Sequence, residues 1–298
     1  MSHAPAEQPP FPPALALISG VLAVSTGAIF ARLAEAPALV TAAYRVGLAT
    51  LLWLPLGWPA LVPELRRMAP RDIGLALLAG VFLAGHFGTW ISSLAYTSVA
   101  SSVVLVNTNP LWVALLTPLV TKERVSRLAA VSIGVSVAGG VIIGAGDLAV
   151  GGRALWGDAL ALMGSMCAAV YLLLGRRVRR GVSLGTYVLL CYGAAALVLW
   201  GTVLIAGLPL RGFTGQTWLA FAGMAVVSQL IGHTSYNWAL KWLRTSYVAV
   251  GLLGEPIGAT ILAYVLFGET LTWEKWAGGV LILAGIYLSA RDEGRRGS

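Results

Sequence analysis

Ten mostly apolar stretches alternate with short polar breaks along the chain: 14–31, 37–56, 73–94, 98–119, 128–145, 155–174, 184–206, 217–239, 246–267 and 274–290. Each approaches the roughly 20 residues that a helix needs to cross about 30 Å of hydrocarbon. In lipid the backbone N–H and C=O groups must be satisfied within the segment, so such runs predict helices. The links between them are too short to fold by themselves. The pattern therefore predicts an all-α integral membrane protein with ten transmembrane helices in a single membrane domain, 1–298. Met1 to Pro13 carries no Lys or Arg, so the first apolar run reads as a retained span and not as a signal peptide.

The pattern also repeats. Thr97-Ser98 returns as Thr245-Ser246 at the start of spans 4 and 9. Pro110 stands 13 residues before Glu123, and Pro256 stands 13 before Glu269. Gly85-His86 returns as Gly232-His233, an offset of 147 against 146 for the proline–glutamate pairs. The chain thus divides into five-helix repeats at 14–145 and 155–290. Five is odd, so the copies must cross the membrane in opposite senses. Inverted repeats of this kind commonly build secondary transporters, with the substrate site near mid-membrane between the halves.

Composition agrees with a bilayer as the main solvent. Apolar residues make up 58% of the chain and charged residues 11%, against a usual charged share of about 25%. The net charge of +8 would suit nucleic acid, but its placement argues otherwise. With the N-terminus inside, fifteen Lys and Arg fall on the inner side and four on the outer, while Arg45 lies within a span. That split predicts both termini in the cytoplasm of a bacterial inner membrane and excludes a nucleic-acid partner. The expected partners are the lipid bilayer and a small-molecule substrate, with the chain acting as a monomer. Cys167 and Cys191 sit in apolar runs without metal or disulfide spacing, and read as packing residues.

The doubled motif carries a family resemblance. Thr97-Ser, a small-residue run, Pro110, Glu123-Arg-Val-Ser and a glycine-rich span are echoed by Thr245-Ser, Pro256 and Gly268-Glu269-Thr-Leu-Thr. Together they resemble the EamA-type ten-helix exporters of the drug/metabolite transporter superfamily, over nearly the whole chain. The resemblance implies a basket of helices around a central cavity lined by spans 1, 3, 4, 6, 8 and 9. It also implies export of amino acids or similar metabolites, with aromatic amino-acid exporters as one similar branch. Glu255 is a departure, because the first half has Asn109 before its proline.

Intramembrane polar groups mark candidate site residues because hydrocarbon penalises them. Glu255 lies near the middle of span 9, where an acidic residue costs roughly 2.5–3.5 kcal/mol on insertion scales. It must face a cavity or a partner, and would bind a substrate amine, couple protons or stabilise a helix kink. Pro110 and Pro256 each remove a helical hydrogen bond and are candidate hinges or helix breaks. Arg45, in span 2, would attract a substrate carboxylate, or latch the structure by pairing with Glu255 or main-chain carbonyls. His86, Trp90 and Ser93 share one helical stripe, with Phe82 a turn before. The span 8 stripe is Gln229, His233, and Tyr236 with Asn237. Asn107, Asn109 and Trp112 in span 4 and Tyr171 in span 6 complete the set. Hydrogen-bonding tips beside aromatic faces suit a pocket for a small polar or aromatic molecule. A lone membrane histidine also serves simply to bond a neighbouring helix.

Other chemistries find no support. Gly181-Val-Ser183-Leu-Gly185 matches the nucleophile elbow of serine hydrolases, but a basic loop stands where the strand is needed. No HExxH, P-loop or dinucleotide fingerprint is present, so no metal, cofactor or nucleotide-driven pump is expected. An intramembrane transferase would carry an acidic cluster on one face, which this chain lacks. A non-transporting receptor gives no reason for paired histidines in an inverted repeat. Drugs, nucleosides or other metabolites remain alternative substrates, and no residue marks net direction.

Overall fold

A computed structural model of the chain describes residues 8–97, 99–120, 125–145, 153–267 and 273–297. The expectations placed on Ser98, Glu123 and Glu269 fall outside these residues. Among the described residues all regular structure is helical, and the helices line up as ten rods. Span 1 is α1 (Pro13–Val24) and α2 (Gly27–Leu33), span 2 is α3 (Ala38–Leu65) and span 3 is α4 (Pro70–Ser93). Span 4 is α5 (Val99–Val106) and α6 (Asn109–Val120), and span 5 is α7 (Arg127–Ala145). In the second half come α8 (Arg153–Arg179) and α9 (Leu184–Ile205). Span 8 joins α10 (Gly215–Gly223), a π-helix (Met224–His233) and α11 (Thr234–Ala239). Span 9 is α12 (Thr245–Gly251) and α13 (Gly254–Phe267), and span 10 is α14 (Trp273–Gly297).

Local chemistry sets several of these ends. Pro13 and Pro70 open their helices, where the missing N–H has no intrahelical partner to lose. Ser183 and Thr214 cap α9 and α10 by accepting the Thr186 and Thr217 amide protons at 3.3 and 3.2 Å. The tight link between spans 7 and 8 turns at Gly207 and Gly212, whose φ values of 61° and 92° are strained for any side chain.

Among the described residues, six rods are long and apolar enough to cross a membrane by themselves: Pro13–Leu33, Ala38–Leu65, Pro70–Ser93, Leu155–Arg179, Leu184–Ile205 and Thr245–Leu266. Shorter apolar stretches cover Arg127–Gly139 and Trp276–Ser289, while spans 4 and 8 are interrupted. The outer surface is apolar, with Leu197 77% and Ile205 91% exposed, as a lipid-facing exterior requires.

Packing is reciprocal between the halves. Span 3 lies along span 6, and in the second half span 8 lies along span 1. Spans 2 and 7 pair, as do spans 5 and 10. Small residues permit the close approaches. A Cβ at Gly80 would collide with the Cys191 carbonyl oxygen, and one at Gly139 would meet the Gly278 carbonyl. Gly254 and Gly258 lie against Val21 and Ser25 of span 1.

Helix breaks precede both prolines: α5 stops at Val106 and α12 at Gly251, and Pro110 and Pro256 sit in the first turns of α6 and α13. Two features depart from the expected elements. Span 1 breaks at Ser25-Thr26, and span 8 carries ten π-helical residues, whereas its counterpart span 3 is α-helical throughout. Finally, Arg176 and Arg179 belong to α8 and not to a loop. Both are buried and donate to main-chain oxygens at the end of span 8, Arg176 to Leu240 at 2.6 Å and Arg179 to Asn237 at 2.9 Å. Those carbonyls lie at a helix C-terminus, where intrahelical partners run out.

Candidate functional site

The interruptions converge on one central cavity. Val24 at the break of span 1, Val106 and Asn107 at the break of span 4, and Leu252 at that of span 9 all line it. So do Arg45, His86, Trp90, Asn109, Tyr171, His233, Tyr236 and Glu255. The empty space is about 490 Å³, its open mouth included.

The two histidines related by the repeat lie side by side, with ring centroids 6.2 Å apart. His86 stacks on Trp90 at 5.9 Å and 7°, and its Nδ1 lies 3.0 Å from the Gly164 carbonyl oxygen, which places a proton on that nitrogen. His233 meets Phe87 edge-on at 5.1 Å and Tyr236 at 5.4 Å. Its Nδ1 is buried without a partner, as are Trp90 Nε1, the Tyr236 hydroxyl and Asn109 Oδ1. Native interiors rarely leave such groups unpaired. Four of them around one cavity are hydrogen-bonding positions available to a bound molecule.

Arg45 is the cation of the cavity and is 1% exposed. It donates from Nε to Gln229 Oε1 at 2.8 Å, and its guanidinium carbon lies 3.9 Å from the Phe87 ring centroid. One face is thus spent on an aromatic ring and one N–H on an amide. Glu255 contributes the carboxyl group, with Asn107 across the break of span 4 as its hydrogen-bonding partner. Thr26 of span 1 pairs with Ser228 of span 8 at 3.0 Å, tying the two discontinuous rods together beside Arg45.

Several predicted site residues do not line the cavity. Gln229 and Asn237 are fully buried behind the wall. Gln229 accepts from Arg45, and Asn237 accepts from the Tyr171 hydroxyl at 2.6 Å. Gln229 lies in the π-helix, whose i→i+5 closure departs from the 3.6 residues per turn that define the stripe, whereas Asn237 lies in α11, one step further round the helix than Tyr236. Ser93 is also outside the cavity, bonded to Ser102 at 2.6 Å. Trp112 lies outside the lining with its Nε1 buried and unpartnered, and Met163 is half exposed. Tyr192 was not singled out from the sequence. The available signal was the repeat itself, since Tyr192 follows Arg45 by the same 147 residues that separate the histidines.

Ten helical rods in two repeated halves, closed around a polar and aromatic cavity, define a multi-pass membrane transporter. Both halves match the model of the EamA-like transporter family, over residues 12–145 and 155–291, and the chain belongs to that family. It is similar to an uncharacterized transporter of Archaeoglobus fulgidus, 26% identical over 247 residues, covering 82% of this chain and 86% of that one. It is also similar to the uncharacterized transporter YyaM of Bacillus subtilis, 25% identical over 232 residues, covering 75% and 73% of the two chains. A solved crystal structure superposes with a TM-score of 0.76 over 96% of this chain and 99% of that one, at 20% identity, and shares the fold. Family and relatives point to a transporter and not an enzyme.

Proposed function

We propose that this protein exports small metabolites, chiefly amino acids, by alternating access between its two inverted halves. The observation that carries this reading is that one cavity is lined by both a guanidinium, Arg45, and a carboxyl group, Glu255, which feel each other electrostatically. Buried opposite charges are strongly unfavourable unless something compensates them. A zwitterion supplies both compensations, its carboxylate at Arg45 and its ammonium at Glu255. The rings of His86, Trp90, Tyr171, His233 and Tyr236 in the same lining suit an apolar or flat side chain. Because the charges occur in one half each, such a substrate would enter in one orientation.

The basic residues support an orientation with both termini cytoplasmic, in a bacterial inner membrane, with fifteen Lys and Arg on the inner side against four on the outer. The test is counterflow in liposomes: purified protein, preloaded unlabelled amino acids, and radiolabelled amino acids outside, with and without a pH gradient. Saturable uptake, lost in the His86→Ala/His233→Ala protein, is the expected result. No uptake of any amino acid would overturn the substrate class and redirect the search to nucleosides, drugs and other metabolites.

A further inference from the structure

Behind the span 8 wall, buried hydroxyls and amides form one directed chain of hydrogen bonds. The Tyr171 hydroxyl donates to Asn237 Oδ1 at 2.6 Å. Asn237 Nδ2 donates to the Tyr192 oxygen at 3.2 Å. Thr234 Oγ1 donates to the Gln229 main-chain oxygen at 3.4 Å, so in the 3.2 Å pair between Tyr192 and Thr234 the phenol is the donor. Gln229 then receives Arg45 Nε on its side chain at 2.8 Å. The directed run starts at the cavity-lining Tyr171 and ends on the Gln229 main-chain oxygen, and the cavity-lining Arg45 donates separately to that residue's side chain, while Tyr192, Thr234 and Asn237 stay outside the lining.

Tyr192 is the junction of this chain. It is wholly buried on α9, a helix that contributes no residue to the cavity among those described. Its oxygen accepts from Asn237 and its proton goes to Thr234, with the Gln229 side chain also beside it. The repeat explains its place. Tyr192 is the counterpart of Arg45, and the same offset of 147 relates Trp53 to Trp200. In one half this position sends a cation to the cavity. In the other it sends a hydroxyl into the back of span 8, where the π-helix ends.

We propose that Tyr192 is a positioning residue for the substrate site: it fixes Asn237 and hence the Tyr171 hydroxyl, and it clamps Thr234 to the π turn that presents Gln229 to Arg45. This rests on the reading of the cavity as the substrate site. Groups in binding sites keep their geometry when surrounding hydrogen bonds lock their rotamers. Tyr192→Phe keeps the ring and its packing but leaves Asn237 Nδ2 without an acceptor. The amide is then free to turn, and the Tyr171 hydroxyl loses its fixed partner.

The test uses protein labelled with 3-fluorotyrosine, in which Tyr171→Phe assigns the Tyr171 resonance. Tyr192→Phe should shift or broaden that resonance without added substrate, and should raise the KM for the counterflow amino acid roughly three- to tenfold at nearly constant Vmax. Asn237→Ala breaks the same chain from the other end and should move the same resonance, which covers the case of a poorly folding Tyr192→Phe protein. An unmoved Tyr171 resonance in a folded variant overturns the proposal. A moved resonance with wild-type KM, or a loss confined to Vmax and thermal stability, overturns it as well. If the wild-type protein transports no amino acid, the substrate class alone fails. The fluorine spectra still decide whether Tyr192 positions Tyr171.

Discussion

Arg45 on span 2 donates its Nε proton to Gln229 Oε1 on span 8 at 2.8 Å, so the cation of the first repeat is aimed by an amide of the second. The remaining guanidinium N–H groups are left to face the cavity that Arg45 lines. This arrangement crosses the interface between the halves, which makes the cavity sensitive to their relative position. The predictions below follow from it and from the packing around it.

Gln229→Leu should lower stability by about 2 kcal/mol, because a hydrogen bond to a charged group is lost and the buried guanidinium has no replacement acceptor. Thermal unfolding in detergent micelles checks the loss. A variant as stable as wild type would show that Arg45 finds another acceptor.

Arg45→Lys should behave almost as badly as Arg45→Ala, with a loss of tenfold or more in uptake of a zwitterionic amino acid. Lysine keeps the charge but not the planar face against Phe87 or the Nε bond to Gln229. Counterflow with the two variants side by side measures this. Full activity of the lysine protein would mean that charge alone suffices.

Glu255→Gln should weaken binding of an amino acid by about tenfold, while binding of its deaminated carboxylic acid changes little, since only the former has an ammonium group to lose. Competition against labelled substrate gives both values. Transport retained in full, with and without a pH gradient, would remove Glu255 from substrate binding and from proton coupling alike.

Gly80→Ala should destabilise the fold by about 1–3 kcal/mol, since the added methyl group meets the Cys191 carbonyl oxygen and Ala194 where spans 3 and 7 touch. Gly193→Ala is the matching control. Nothing lies within 4 Å of its Cβ position, so the change should stabilise α9 by about 0.5–1 kcal/mol. Melting curves of the two proteins should move in opposite directions.

Much of the site was legible because burying a polar group in lipid is costly wherever it occurs. That argument picked out Arg45, His86, His233 and Glu255 one by one, and all four line the same cavity. It does not say which way a side chain turns. Gln229 and Asn237 belong to the same polar stripe as His233 yet stand behind the wall, Gln229 because it lies in the π-helix, off the α-helical register, and Asn237 because it sits one step round α11 from the cavity-lining Tyr236. Likewise, Arg176 and Arg179 read as loop charges, but the carbonyls at the end of span 8 draw them into the protein.

What the sequence determined by itself was a membrane protein of ten apolar runs in two copies, together with the few groups too polar to face lipid. Those properties depend on residue type and on distance along the chain. Only the tertiary structure decided where the rods break, which halves of the repeat remained alike, and which polar groups hold others in place. Tyr192 shows the reason. It is an ordinary buried tyrosine by composition and spacing, and its role exists only because spans 6, 7 and 8 bring Asn237 and Thr234 within hydrogen-bonding distance of its hydroxyl, and Tyr171 within reach of Asn237.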